Sequence, residues 1–229
     1  MDADILVLQE VENQKNLELF NQWFLKGAYD TVLTVPTTDS RSRHMAVLLK
    51  DGLVLEEVKA FGGTPPKDET HFSHAAQLYR ILDTKGGKYD LVNLHFFDAG
   101  TWDYNDPIYD DFLSELAQKL KMELYGTGAR MIMGTLNILP YHEVLERILE
   151  PLGMFKINDS PSFRSSDNVP KNNSYNRLGA YKEGINILQK QYLLVSKYLT
   201  SHIWGSGLLV SHKQDDNRHG PVNWIGVDL

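Results

Sequence analysis

The 229-residue sequence contains no cysteine. Disulfide frameworks, thiolate zinc sites, iron–sulfur clusters and cysteine nucleophiles all need thiols, so these classes are excluded. The absence leaves the compartment open, because a cysteine-free chain suits reducing and oxidising surroundings equally. Long apolar runs are missing as well, and no stretch approaches the roughly 18 consecutive apolar residues of a membrane-spanning helix.

The sequence has fewer basic than acidic residues: 23 Lys and Arg and 30 Asp and Glu, which gives a net charge of −7. This balance disfavours a protein that coats nucleic acid, which needs a basic face for the phosphates. It does not exclude a nucleic-acid enzyme, because a metal ion can bring positive charge into an acidic cleft. Residues 1–4 are acidic and lack the basic region of a signal peptide, so the cytoplasm is the default expectation.

Apolar patterning predicts an α/β fold. Three short apolar runs have the composition of strands covered on both faces: residues 5–8, 91–94 and 131–133. Helices are predicted over 11–26 and 107–125, and the polar residues 160–180 predict a long loop. Many strands and few long helices favour an α/β sandwich over a strictly alternating sheet. The absence of repeats and linkers predicts one domain over 1–229.

Polar residues follow the predicted strands at positions where α/β folds present their sites. Glu10, His95 and Asn137 follow the three apolar runs, and His219 comes just before a final predicted strand. A carboxylate there would hold a hard divalent cation, one His would activate water, and the other His and the Asn would bind phosphate oxygens. Each residue alone has an ordinary explanation, such as a helix-start carboxylate for Glu10 and a buried core histidine for His95.

The order of these segments resembles the endonuclease/exonuclease/phosphatase superfamily, the DNase I-like hydrolases. Residues 3–13, ADILVLQEVEN, are similar to its signature ADIIxLQEVEN, which makes Glu10 the metal ligand. Residues 92–95, VNLH, resemble its VNxH strand, whose His contacts the scissile phosphate and corresponds to His95. The resemblance implies a DNase I-like α/β sandwich, in which two packed mixed sheets are flanked by helices.

Three further segments match in family order, as far as residue 222. Residues 132–140, IMGTLNILP, resemble the family's GDFN segment, and the resemblance gives Asn137 the role of orienting the phosphate. Residues 191–196, QYLLVS, resemble DxILVS. Residues 218–222, RHGPV, resemble the closing SDHxPV, which makes His219 the general base or acid. The implied activity is divalent-metal-dependent hydrolysis of phosphoesters, nucleic acids included.

Three positions depart from the family pattern, since Thr135, Gln191 and Arg218 stand where the family has Asp. The first of these acids binds metal or positions the nucleophile, and the last sets the tautomer of the catalytic His. Loss of one such acid can take a good hydrolase to marginal turnover. The family's opening strand would precede Ala3, so we expect a fold that can be short of one strand.

Two functions therefore stay open. The first is a degenerate, weakly active or inactive member that keeps a cleft for a phosphate-bearing ligand or nucleic acid. The alternative is an active Mg²⁺-dependent phosphodiesterase or nuclease with a rearranged site of Glu10, His95, Asn137 and His219. With Glu10 as the one surviving family acid, Mg²⁺ is expected to bind weakly or not at all without ligand.

Charged residues near these segments have two explanations. Arg41 and Arg43 lie in a polar loop between two predicted strands, where they could grip a phosphate or simply be solvated. Asp215 and Asp216 could stand in for the acid that is missing beside His219.

Overall fold

A computed structural model describes residues 3–37, 43–61, 74–96, 107–124, 128–138, 153–156, 163–165, 180–183, 186–196, 203–209 and 222–227. The helices are α1 (Gln14–Trp23) and α2 (Pro107–Glu123). The strands are β1 (Ile5–Val11), β2 (Thr31–Val35), β3 (His44–Leu49), β4 (Leu53–Phe61), β5 (His74–Asp83), β6 (Lys88–Phe96), β7 (Ala129–Ile138), β8 (Met154–Lys156), β9 (Phe163–Ser165), β10 (Ala180–Glu183), β11 (Asn186–Ser196), β12 (Ile203–Leu209) and β13 (Val222–Val227).

The strands within these ranges form three sheets. The small sheet is antiparallel and has the order β1-β3-β2. The large sheet has the order β10-β11-β7-β6-β5-β4, with β8 also paired to β11. Its β6 and β7 run parallel while their other neighbours are antiparallel, so this sheet is mixed. The third sheet has the order β13-β12-β9. The predicted mixed α/β architecture is confirmed.

The core lies between the small and the large sheet. Eight buried side chains from the two sheets form it: Val47, Leu49, Tyr79, Ile81, Tyr89, Leu91, Ala129 and Met131. Because side chains alternate along a strand, Ala46 and Leu48 face the other side of β3, where they pack with Leu17 of α1. The small sheet is therefore covered on both faces, which explains the continuous apolar run in β1.

Helix α2 buries Leu116 and Leu120, and Leu124, which directly follows its last residue, is buried as well. Its C-terminal end is tied to the large sheet by charged groups. The Arg80 guanidinium of β5 donates to the Glu123 carbonyl over 3.0 Å, and Lys59 Nζ of β4 lies 2.7 Å from Glu123 Oε2. Neither α1 nor the described part of α2 has the length and apolar character needed to cross a membrane.

Some element boundaries differ from the sequence prediction. Helix α1 begins at Gln14, because β1 continues to Val11 and the Asn13 side chain caps the helix by accepting from Asn16 N over 2.9 Å. It ends at Trp23, before Lys26 and Gly27 take positive φ angles of 59° and 69°. The loop predicted over 160–180 contains the short strand β9, which pairs with the distant β12.

The turn between β5 and β6 is organised by Asp83. Its carboxylate accepts from the Tyr89 hydroxyl over 2.7 Å, from Gly87 N over 2.8 Å and from Lys85 N over 2.7 Å. The hydrogen bond from Tyr89, followed by that from Gly87, holds the pKa of Asp83 below its ordinary value of about 3.8. The ionised carboxylate therefore stabilises the folded state.

We expect Asp83→Asn to lower the urea midpoint at neutral pH. The pKa of Asp83 is lower in the folded state than in the unfolded state. Its contribution to the free energy of unfolding is therefore fully present above the unfolded-state pKa, and it is lost as the pH falls through the folded-state pKa. The midpoint difference from wild type should therefore shrink in acid. Asp30→Asn, at an exposed position, is the control, and a difference for Asp83→Asn that persists unchanged in acid would contradict this account.

Candidate active site

Glu10 lies at an irregular end of β1. The register between β1 and β3 shifts between Leu8 and Val11, and Glu10 has a φ of 57°. A positive φ is uncommon for a residue with a side chain, and a register shift of this kind re-aims side chains at the edge of a sheet. The Glu10 Oε1 atom lies 3.4 Å from His95 Nε2, although the two residues are 85 positions apart.

His95 brings the large sheet into this site. It lies one residue before the end of β6, and its side chain is only 8% exposed. Since β1 belongs to the small sheet and β6 to the large one, the Glu10–His95 pair spans the two sheets at one end of the sandwich. The structure thus brings together two of the residues that the sequence predicted for one cleft.

The neighbouring strands place three more predicted positions near His95 along the backbone. Thr135 of β7 is the register partner of His95 in the parallel β6–β7 pair. Gln191 of β11 is the register partner of Thr135 on the other side of β7, and Asn137 follows two residues further along β7. Strand β7 runs to Ile138, so Thr135 and Asn137 lie within the strand and not after its end.

The structure does not describe the remaining residues that the sequence predicted for the site. His219 and Arg218 lie outside the described residues, as do Arg41 and the Asp215–Asp216 pair. Their part in the cleft stays a prediction.

Arg43 makes an ion pair that neither of its two sequence explanations, phosphate binding or solvation, included. It directly precedes β3, and its Nη1 atom pairs with Glu10 Oε2. The Arg43 and Glu10 side chains are 40% and 41% exposed, so this ion pair lies at the mouth of the site. Glu10 therefore has the imidazole of His95 at one carboxylate oxygen and a guanidinium at the other.

Two amides, the half-buried Gln9 and the buried Asn93, join the two sheets beside this pair. Gln9 Nε2 donates to Asn93 Oδ1 over 2.8 Å and to the Leu94 carbonyl over 2.6 Å. Asn93 Nδ2 in turn donates to the Leu8 carbonyl over 3.2 Å, and Asn93 is fully buried. Sequence reasoning gave neither amide a role of its own, although polar residues within or directly after apolar strands are a signal, since polar groups that are removed from water need partners.

A second buried polar pair lies further along the same interface. The Tyr79 hydroxyl donates to Gln77 Oε1 over 2.5 Å, and Gln77 Nε2 donates to the Val35 carbonyl of β2 over 3.1 Å. Burial raises the pKa of Tyr79 well above its usual range, so the hydroxyl stays protonated as a donor. These amides and the phenol hold the two sheets in one relative position at the site.

We expect Asn93→Ala to destabilise the fold by about 2–3 kcal/mol, because it removes an acceptor from Gln9 and leaves the Leu8 carbonyl without the amide that it binds. Urea unfolding measures the change. The exposed Asn16→Ala is the control and should change stability by no more than about 0.5 kcal/mol. Equal losses in the two variants would show that the amide contacts do not join the sheets.

The described residues do not fit a divalent cation. In this part of the chain, no group of three or more His, Asp or Glu side chains is placed to hold a metal ion. At Glu10, the carboxylate oxygen that is not near His95 is paired with a guanidinium. A cation that approached Glu10 would meet the positive charge of the Arg43 guanidinium.

Comparison with known proteins identifies the fold. Neither a protein-family model nor a curated protein matches the chain. Among solved structures, a mannosyl-6-phosphatase from Bacteroides thetaiotaomicron has a TM-score of 0.68 at 14% identity, over 100% of this chain and 86% of that chain. An endonuclease/exonuclease/phosphatase from Bacteroides vulgatus has a TM-score of 0.68 at 13% identity, over 99% and 86%. The catalytic domain of human Nocturnin with bound sulfate anion has a TM-score of 0.58 at 15% identity, over 90% and 71%.

At these identities the likeness concerns the fold. The chain shares the DNase I-like α/β sandwich fold of these structures, so the fold that the sequence resemblance implied is confirmed.

Proposed function

We propose that the chain is a diverged endonuclease/exonuclease/phosphatase-like domain that binds a phosphate-bearing ligand beside Glu10 and His95 and hydrolyses phosphoesters weakly or not at all. The observation that carries the proposal is the 3.4 Å approach of Glu10 and His95 across the two sheets. In this proposal the ligand site of the fold is kept at the end of the sandwich where Glu10 and His95 meet, while three of the family's acids are replaced in the sequence.

Phosphate binding uses groups that the chain retains. His95 is held in a buried position by its strand, and Asn137 follows on the adjacent β7. In this proposal the imidazole and the amide bind phosphate oxygens, as the family motifs imply. Neither role requires a carboxylate. Phosphate binding is therefore kept although Thr135, Gln191 and Arg218 stand where the family has Asp.

Hydrolysis needs groups that the chain has lost. A neutral Thr135 hydroxyl cannot act as a base near neutral pH, and Arg218 cannot accept the N–H of the His219 imidazole. Glu10 is the one family acid that remains, and it is paired with Arg43. Proton transfer and water activation are thus weakened together, whereas ligand binding is not.

A small phosphomonoester fits the chain better than a long nucleic acid. The net charge of −7 repels an extended polyanion, which gains most of its affinity from basic contacts to many phosphates. One structural neighbour is named as a mannosyl-6-phosphatase, so this fold accommodates a small sugar phosphate.

The alternative is an active Mg²⁺-dependent phosphodiesterase or nuclease with a rearranged site of Glu10, His95, Asn137 and His219. The observation that favours it is that Glu10 and His95 are still in contact. It requires Arg43 to leave the Glu10 carboxylate when the site is loaded.

Calorimetric titration with phenyl phosphate tests the proposal. Wild type should show saturable binding, and His95→Gln should weaken it about tenfold, because a charge-assisted contact to the phosphate is lost. Gln77→Ala, at a buried polar position of the same interface, is the control for general loosening, and the loss of affinity in His95→Gln should exceed the loss in Gln77→Ala. Absence of saturable binding to a folded wild-type protein would refute the proposal.

A further inference from the structure

We infer that Arg43 is the resident cation of this cleft: its guanidinium takes the place at Glu10 that a divalent metal would need, and it binds the ligand phosphate directly. The inference rests on the proposed function, since it names the group that makes phosphate binding independent of metal.

The strand register places Arg43 beside Glu10. His44 is the register partner of Val11 in the β1–β3 pair, so Arg43 lies one residue beyond the end of that ladder, next to the irregular segment that carries Glu10. The Thr37 hydroxyl donates to the Arg43 carbonyl, which anchors the backbone where β3 begins. The contact between the two side chains therefore follows from the pairing of two well-covered strands.

The guanidinium has the capacity to bind a second anion. An arginine side chain presents five N–H donors in a planar fork. The ion pair with Glu10 uses the Nη1 atom of Arg43. With 40% of the side chain exposed, a ligand can reach it from solvent. The planar fork matches the geometry of phosphate oxygens.

Glu10 has a defined part in this arrangement. Its two oxygens face His95 and Arg43, so the carboxylate orients both groups toward one place. It also repels an incoming phosphate and competes with it for the guanidinium. In a metal-dependent site the same carboxylate would instead be required for ligand binding, so removing its charge has opposite effects in the two cases.

The small sheet provides a matched control. At the opposite end of the same two antiparallel strands, Lys50 Nζ lies 3.5 Å from Asp4 Oδ1. Lys50→Gln and Asp4→Asn make the same charge changes as Arg43→Gln and Glu10→Gln, within the same strand pair and far from His95.

The test is a calorimetric titration with inorganic phosphate, carried out once in EDTA and once in excess Mg²⁺. Wild type should bind phosphate with the same affinity in both. Arg43→Gln should weaken phosphate binding about tenfold or more. Arg43→Lys keeps the charge but loses the planar fork of donors, so its phosphate affinity should lie between those of wild type and Arg43→Gln. Glu10→Gln should strengthen binding, and the two control variants should stay within about twofold of wild type.

The failures are distinguishable. Phosphate binding that appears only with Mg²⁺ and is lost in Glu10→Gln would overturn the inference and leave the proposed function standing. Unchanged binding by Arg43→Gln in EDTA, in a variant with a wild-type thermal midpoint, would overturn it as well. If wild type binds phosphate in neither condition, the proposed function itself fails.

Discussion

Hydrolysis of bis(p-nitrophenyl) phosphate by this protein is expected to be at least about a hundredfold slower than hydrolysis by a superfamily member that carries all of its acids. That factor corresponds to about 2.7 kcal/mol of lost transition-state stabilisation, at 1.36 kcal/mol per decade. Loss of the acid that orients a catalytic His costs about 10⁴ in rate in serine proteases, so the expected deficit is conservative. The individual losses need not multiply, because residues that act as one unit are not additive.

A Mg²⁺ titration of the reaction measures this deficit. The wild type should be compared with Thr135→Asp/Gln191→Asp/Arg218→Asp, which restores the three family acids and should be the faster enzyme. Glu10→Ala and His219→Ala should change the wild-type rate little, since little catalysis is there to lose. Robust Mg²⁺-dependent turnover by wild type that disappears in both Ala variants would refute the account and support the active-enzyme alternative.

Gly134→Ala is expected to destabilise the fold by on the order of 4 kcal/mol or more. Gly134 has a φ of 148° and is paired with Leu94 across the parallel β6–β7 ladder. A Cβ at this position would lie 1.7 Å from the Leu94 carbonyl oxygen and 2.8 Å from Gln9 Nε2. Relief would require β7 to move away from β6, which breaks the ladder beside His95 and places the variant among the exceptional destabilising substitutions.

The glycine prediction has a close control within the same segment. A Cβ on Gly128 meets no atom within 4 Å, so Gly128→Ala should change stability by no more than about 0.5 kcal/mol. Urea unfolding of the two variants measures the difference. Equal midpoints for Gly134→Ala and Gly128→Ala would show that β6 and β7 do not approach each other as described.

The sequence predicted the sandwich and the Glu10–His95 pair because both depend on local patterns. Apolar runs predict covered strands, and the segments around Glu10 and His95 resemble family motifs. The sequence also contains the signal for the start of α1, since Asn13 is a residue type preferred as an N-cap, although the predicted helix began at residue 11.

The features that escaped prediction depend on contacts between distant segments. Nothing in the polar loop around Arg43 distinguishes it from a solvated arginine until the β1–β3 register brings it to Glu10. Likewise, Gly134 and Thr135 have the composition of a turn. Strand β7 continues through them because it has β6 on one side and β11 on the other.

The most direct test of the account is a crystal structure with tungstate, a tetrahedral oxyanion of phosphate shape, grown without divalent cations. The account predicts an anomalous peak within hydrogen-bond distance of both the Arg43 guanidinium and the His95 imidazole. A tungstate that binds elsewhere, or that binds beside Glu10 only after Mg²⁺ is added and Arg43 has moved away, would contradict it.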